Sequence, residues 1–417
     1  MPSVPPSRRR VVITGLGVIS CIGSGLENFW KGILAEKTGI RRITRFDASP
    51  FDAKTAGEIH DFDALQFFDA KRMRRLDRYA QMAMAGAKMA FLDAKLLWKP
   101  GDRNPRWGAS MGSALGGISE AEEQHTQFIQ KGIRAINPML ALLVFGGSSS
   151  SNISIEFGLT GPCTTVSNSC ASGNIAIGEG ARYIRDGYAD VMLVGAAEAP
   201  LSPLTFAAFD VIHTMSDIDD PERSCAPFCA TRAGFVMGEG AGMMVLESEE
   251  HALKRGAHIY GEFKGYALNS DAFHMTSSLD SGECAARCMQ DAIADAGLAA
   301  DRIDYINAHA SSTSMNDRNE TTAIKKVFGN DTKVAISGTK AYYGHSLGST
   351  SAIEAVLCAL ALEKQHIPPT LHLTEPDPTC DLDYTPLHGR SAKIGHVMSN
   401  AFGFGGVNSS LVLGKYK

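Results

Sequence analysis

The chain alternates short β-branched apolar runs with longer segments whose apolar residues recur at helical spacing. Val11–Thr14 predicts a strand that enters a turn at Gly15 and Gly17. The segment LDRYAQMAMAGAKMAFL, residues 76–92, predicts a helix, and so does Cys284–Ala296. Asp190–Val194, Met243–Leu246, Tyr305–Asn307, Val334–Ser337 and Met398–Ser399 predict strands, and Ser351–Gln365 a long apolar helix. Alternation on this scale predicts α/β layers with helices covering the sheets. An internal echo accompanies it. TTVSNSCASGNIAIGEGARYIRDG reads strand, small-residue joint, helix, and AISGTKAYYGHSLGSTSAIEAVLCALALEKQ repeats that order. Both helices open on Gly, Ala and Ser. Glycine costs a helix about 1 kcal/mol relative to Ala, so these helices are expected where small side chains permit close packing. The expectation is two similar halves in one compact unit.

Composition narrows the function classes. A formal charge of −5 argues against non-specific nucleic-acid binding, which favours basic proteins. No run of eighteen apolar residues is present, which argues against a membrane span. Arg8-Arg9-Arg10 followed by VVITGLGVIS and Cys21 imitates an export signal, but Thr14, Gly15 and Gly17 interrupt the short apolar run, so a first strand is the better reading. Nine cysteines without a framework pattern suggest free thiols in a reducing, cytoplasmic setting. Cys225/Cys229 and Cys284/Cys288 have a spacing zinc could use, but no histidine cluster lies near either pair, and buried thiols are the default expectation.

The chemistry concentrates at Cys170 in VSNSCASGNIAIGEG. A thiol between a strand and a helix start feels the positive helix end and unpaired N–H groups, which lower its pKa. A sharp turn there projects the side chain outward, as in nucleophile elbows, and the backbone N–H of Cys170 can meet a developing oxyanion. Local context alone leaves a buried structural cysteine equally open. A nucleophile needs partners. His309 in YINAHASSTSMND and His345 in GTKAYYGHSLGSTSAIEA each follow a strand among small and hydroxyl residues. Taken singly, each histidine also reads as a structural hydrogen-bonder, and Lys340, five residues before His345, and Glu320, eleven after His309, each read as a surface charge. Phe402 and Phe404 in SNAFGFGGVNSS read either as a glycine-flanked gate or as core anchors on a tight turn. No Gly-Lys-Ser/Thr phosphate loop occurs, and TGLGVIS lacks the third glycine of a dinucleotide fingerprint.

Taken in order, SNSCASGNIAIGEG, NAHASSTSMND, KAYYGHSLGSTSAIEA and SNAFGFGGVN resemble the β-ketoacyl-(acyl carrier protein) synthases, most closely the elongating Cys-His-His type. GFVMGEGAGMMVLE and GASMGSALGG resemble that family too, so the likeness covers nearly the whole chain. It implies a thiolase fold, two similar halves forming a five-layered α-β-α-β-α sandwich, here residues 1–258 with Cys170 and 259–417 with His309 and His345. It implies a homodimer and an acyl carrier protein as partner, and no resident cofactor, since phosphopantetheine arrives on the carrier. It also implies the chemistry. Cys170 takes an acyl group from a carrier thioester. His309 and His345 donate N–H bonds to the enolate formed when a malonyl carrier loses CO2. Lys340 and Glu320 match the family's buried support pair and orient the histidines. The N–H groups of Cys170 and Phe404 form an oxyanion hole, and Phe404 is the gating aromatic. Ser311 and Thr313 bond the pantetheine arm, while Leu115 and Phe402 line the substrate pocket. Lys71, Arg72, Arg74, Arg75 and Arg78 form a basic cluster that reads as a solvated face or, by resemblance, as a docking surface for an acidic carrier.

Departures from the family pattern are visible. His309-Ala310-Ser311-Ser312-Thr313 replaces His-Gly-Thr-Ser-Thr, and Asn168-Ser169 replaces Thr-Ala before the nucleophile. Ala226, Cys229 and Ala233 stand where an arginine and two acids are usual, which puts local salt bridges and part of carrier docking in question. Small residues in ALLVFGGSSSSN (141–152), a region that in the family serves the dimer interface and pocket floor, suggest extra room and an atypical acyl chain of polyketide or polyene type. Three rivals differ on stated features. A non-condensing chain-length factor usually lacks the nucleophile. A thiolase or synthase III lacks this pair of histidines, the latter pairing Cys with one His and an Asn. A Cys-His hydrolase shares nothing beyond Cys170.

Overall fold

A computed structural model describes residues 8–417. Ten strands form one hydrogen-bonded array that divides into two sets of five. The first set is β1 (Val11–Ile19), β2 (Trp107–Gly112), β3 (Cys163–Val166), β4 (Val191–Glu198) and β5 (Gly240–Ser248). The second is β6 (Gly261–Ser270), β7 (Tyr305–Asn307), β8 (Ala335–Ser337), β9 (His396–Gly403) and β10 (Val407–Gly414). In space the first set runs β1-β5-β4-β2-β3 and the second β6-β10-β9-β7-β8, the same rule twice. In both sets the second strand lies parallel to its two neighbours and the remaining pairs are antiparallel. The sets meet where Val11–Ile13 pairs with Gly261–Phe263.

Five helices make the other layers: α1 (Arg78–Asp93), α2 (Ser172–Arg185), α3 (Glu283–Asp295), α4 (Ser314–Phe328) and α5 (Thr350–Lys364). Helix α1 covers β1 and β5 on one outer face, and α3 covers β6 and β10 on the other. Helices α2 and α5 lie between the two sets and touch both, completing the α-β-α-β-α sandwich. The echo in the sequence marks the third strand and central helix of each set: β3 leads to α2, and β8 to α5. The small residues at their starts allow the two to meet, with Gly173 against Ala352. Helix α5 is apolar nearly all round, and thirteen of its fifteen residues are buried, so the one acid among them, Glu354, requires a partner.

The expected turn at Gly15 and Gly17 is absent; β1 continues to Ile19. A Cβ at either glycine would overlap the carbonyl oxygens of Ala90 and Gly86. These glycines serve the close approach of α1 and not a change of direction. All nine cysteines are free, and Cys225, Cys229, Cys284 and Cys288 are buried thiols. Among the described residues no helix is long and apolar enough to cross a membrane.

Candidate active site

Strand β3 ends at Val166, and the chain turns sharply before α2 begins. Ser169 takes φ +50°, a left-handed conformation that a short polar residue tolerates. One 3-10 turn, Ser169–Ala171, then presents Cys170 to a cavity of about 340 Å³. His309, at the end of β7, and His345, ahead of α5, line the same cavity, as do Leu115, Ser311, Thr313, Phe402 and Phe404. The structure therefore brings together ten of the candidates when Lys340 and Glu320 are counted behind this wall.

His345 Nε2 lies 3.1 Å from Cys170 Sγ, and its Nδ1 lies 2.9 Å from Thr350 Oγ1. Thr350 Oγ1 is also 3.1 Å from Ser346 Oγ. These hydroxyls rotate, so either imidazole tautomer finds a partner at Nδ1. The His345 N–H donates to Val236 O at 2.6 Å, and its carbonyl accepts from Gly238 at 3.0 Å, which fixes the ring's backbone. The His309 ring is 5.5 Å from that of His345 and 6.0 Å from Phe402, centre to centre. Burial holds both imidazoles well below the usual histidine value, and the nearby Lys340 charge adds to this. Both are neutral at pH 7, each with one N–H to donate.

Lys340 and Glu320 converge on the backbone of His309 from opposite sides. Glu320 accepts the N–H groups of His309 and Ala310, both at 2.8 Å. Lys340 Nζ donates to the His309 carbonyl. The two do not pair with each other; Lys340 is bound to Glu354 of α5 at 2.7 Å. Removing Lys340 alone would strand a buried carboxylate, a loss of about 3–5 kcal/mol. Glu354 was readable in principle as the acid in the middle of an apolar helix.

The pKa of the Cys170 thiol is not lowered as its place at a helix start predicts. Burial pushes Cys170 up to about 11, although Lys340 and the N–H groups of Phe404 and Cys170 favour the thiolate. Desolvation outweighs the helix start because the sulfur faces a largely apolar cavity. Alkylation of Cys170 by a neutral reagent is therefore expected to rise about tenfold per pH unit through the neutral range. Peptide mass mapping across a pH series measures this, and a plateau near neutrality would contradict it.

The other candidates are placed as follows. Strands β9 and β10 form a hairpin whose tip carries Phe404, Gly405 and Gly406, the glycines at φ +84° and +71°. Phe404 stacks on Phe209 at 6.3 Å, and its backbone N–H favours the Cys170 thiolate. Ser311 and Thr313 share a hydroxyl contact of 2.9 Å, and Thr313 also caps α4. The basic cluster separates. Lys71, Arg74 and Arg75 are exposed, but Arg78 is bound to buried Glu239 at 2.8 Å and Arg72 donates to the Asn152 carbonyl at 3.2 Å. Those two brace the fold, which the run of charges could not reveal.

The missing acids leave no orphaned arginine, because Arg232 pairs with Asp377 at 2.6 Å and stands 3.8 Å from Asp317. Cys229 is buried beside Thr231, and Ala233 lines the cavity. Residues 141–152 do not line the cavity of this chain, contrary to the expected extra room. Ser148–Ser150 are instead packed inside, on a helix that sits against α1, β2 and β3. Phe209, Phe235 and Leu347 line the cavity and escaped the sequence reading.

The sulfur and one nitrogen of each histidine lie within 4.8 Å of one another, the one grouping with metal-ligand spacing among the described residues. A metal there would occupy the thiolate and both imidazoles. The neighbouring N–H groups of Phe404 and Cys170 point instead to a site for an oxyanion beside a sulfur nucleophile.

Comparison with known proteins agrees with this geometry. The N-terminal domain of β-ketoacyl synthases matches residues 8–252, and the C-terminal domain residues 260–374. A 3-oxoacyl-[acyl-carrier-protein] synthase 2 of Synechocystis sp. is 41% identical over 98% of this chain and 99% of its own length. The protein of that name from Staphylococcus aureus is 40% identical over the same shares. Among solved structures, a type II polyketide ketosynthase in complex with its acyl carrier protein and bound to a hexaketide matches with TM-score 0.90 and 34% identity, over 98% of this chain and all of that one. The ishigamide ketosynthase/chain length factor matches with TM-score 0.92 and 37% identity, over the same shares. By sequence and by fold, the chain belongs to the β-ketoacyl synthase family.

Proposed function

We propose that this chain is a 3-oxoacyl-(acyl carrier protein) synthase that joins an acyl group held on Cys170 to the two-carbon unit of a malonyl carrier, with release of CO2. The observation that carries this reading is the placement of His345 Nε2 at 3.1 Å from Cys170 Sγ.

The first stage is thioester exchange. The Cys170 sulfur attacks the acyl carbonyl, and its proton passes through His345 to the departing carrier thiol. A thiol near 11 stays protonated at rest, so His345 removes the proton as the C–S bond forms and no free thiolate accumulates. The N–H groups of Cys170 and Phe404 receive the oxyanion. In the second stage the malonyl carboxylate leaves as CO2, and its bonding electrons form an enolate whose oxygen lies between His309 and His345. Neutral imidazoles suit this step, since each offers an N–H to the growing charge without the stable ion pair an imidazolium would form. The enolate carbon attacks the acyl-Cys170 carbonyl, the oxyanion returns to the same N–H pair, and the Cys170–carbon bond breaks. The product is a 3-oxoacyl carrier thioester, and the sulfur regains a proton. Lys340 and Glu320 hold the His309 peptide in place. Ser311 and Thr313 are suited to bind the pantetheine arm, and Leu115 and Phe402 to line the acyl and malonyl ends of the cavity.

Lys71, Arg74 and Arg75 offer an acidic carrier three exposed cations without partners among the described residues. A homodimer is supported by the free edge of β3 and by exposed Ile129, Ile133, Leu142, Phe145 and Ile155 on the adjoining helices. Nine free cysteines support a cytoplasmic setting. The polyketide neighbours favour a second reading, elongation of a specialised acyl chain. Intact-mass detection with acyl and malonyl carriers tests the proposal: a carrier-bound 3-oxoacyl product is expected, and its absence over a broad panel would refute it. A length series ending at ordinary fatty acyl groups would refute the specialised reading alone.

A further inference from the structure

Glu198, the last residue of β4, is fully buried, and no lysine, arginine or histidine pairs with it among the described residues. Burial pushes its carboxyl up to about 7, and four hydrogen-bond donors favour the charged form. Oε1 accepts from Ser113 Oγ at 3.0 Å and Leu115 N–H at 3.1 Å. Oε2 accepts from Ala114 N–H at 2.6 Å and Gly348 N–H at 3.2 Å. Ser113 Oγ is itself an acceptor for Gly116 N–H at 2.9 Å, which directs its proton to Glu198. Every contact is therefore a donor, which suits a carboxylate and no neutral group of the same shape.

The donors come from two loops more than two hundred residues apart, 113–116 and 347–349. Each loop places one leucine, Leu115 or Leu347, in the wall of the Cys170 cavity. The loops abut directly, since a Cβ on Gly348 would meet Ala114 N and Glu198 Oε2. Leu347 is held at φ +44°, which a leucine adopts only under outside restraint. The Gly348 bond to Glu198 is the adjacent restraint. His345 does not depend on it, being fixed by Val236 and Gly238.

We propose that Glu198 is a positioning residue that sets acyl-chain selectivity by fixing the spacing of the Leu115 and Leu347 walls. This rests on the reading that Cys170 carries the acyl group. Glu198→Gln replaces one acceptor oxygen with a donor facing backbone N–H groups, so the loops separate. Ser113→Ala removes one of the four donors and relaxes the same wall more mildly, and it keeps the test available if the first variant does not fold.

The experiment measures kcat/KM for acylation of Cys170 by carriers bearing saturated acyl groups of increasing length, in the unmodified protein and both variants. The expected result is a ratio between best and worst chain length that falls about tenfold in Glu198→Gln, with a smaller fall in Ser113→Ala. Equal losses at every length, leaving the ratio unchanged, would overturn the inference. Failure of the unmodified protein to form any acyl enzyme would overturn the proposed function, and this inference with it.

Discussion

Cys170→Ala is expected to abolish acyl-enzyme formation and to lower condensation roughly 10⁴-fold or more. No other cysteine lines the cavity, and Cys170 alone is in reach of His345. The substitution removes a half-buried sulfur and keeps the backbone N–H groups, both histidines and the Lys340–Glu354 pair, so the fold is expected to persist. Malonyl carrier decarboxylation is then expected to survive, because the enolate donors do not include the thiol. Intact mass of the protein and CO2 release from the malonyl carrier report the two halves separately. Acyl enzyme in the variant would place the nucleophile elsewhere.

His309→Ala is expected to separate the stages in the opposite sense. The His309 ring has no hydrogen-bond partner among the described residues, and it faces the cavity beside Phe402. Its role in the proposal is one of two donors to the enolate, and loss of one such donor costs about 10²–10³-fold in rate. Decarboxylation and condensation should fall by that factor while Cys170 still acylates, since His345 attends the sulfur. Acylation lost in parallel would mean that His309 works on the thiol. The pH dependence follows from burial. Both histidines are held well below 6.5 when folded, so lowering the pH through that value leaves them neutral and able to act. The unfolded chain takes up protons there that the folded histidines refuse, so the stability contribution of these two histidines weakens on acidification before their donor role does. Glu320 and Glu354, pushed up to about 7 by burial, act in the opposite sense.

The reactive side chains that line the cavity were legible because chemistry leaves local marks. Cys170, His309 and His345 each sit among small and hydroxyl residues just past a strand, and the repeated strand-joint-helix order anticipated the two central helices. What could not be read depends on distant contacts. The partner of Lys340 is fourteen residues on, in another helix. The raised thiol reflects desolvation by a cavity whose walls come from several loops. Arg72 and Arg78 look like Lys71 and Arg75 in sequence, and only the buried Glu239 and the Asn152 carbonyl set them apart. Gly15 and Gly17 resemble a turn until the helix that presses on them is known.

The repeated strand order has a consequence for how the chemistry is divided. Third strand and central helix are joined by Cys170 in one half and by the His345 loop in the other. Because α2 and α5 begin face to face, these corresponding joints are brought into contact, and a sulfur at one meets a nitrogen at the other. A fold that repeats itself thereby becomes asymmetric in labour. In the proposed mechanism one half holds the nucleophile and the other both imidazoles, so neither half completes a turnover without its counterpart.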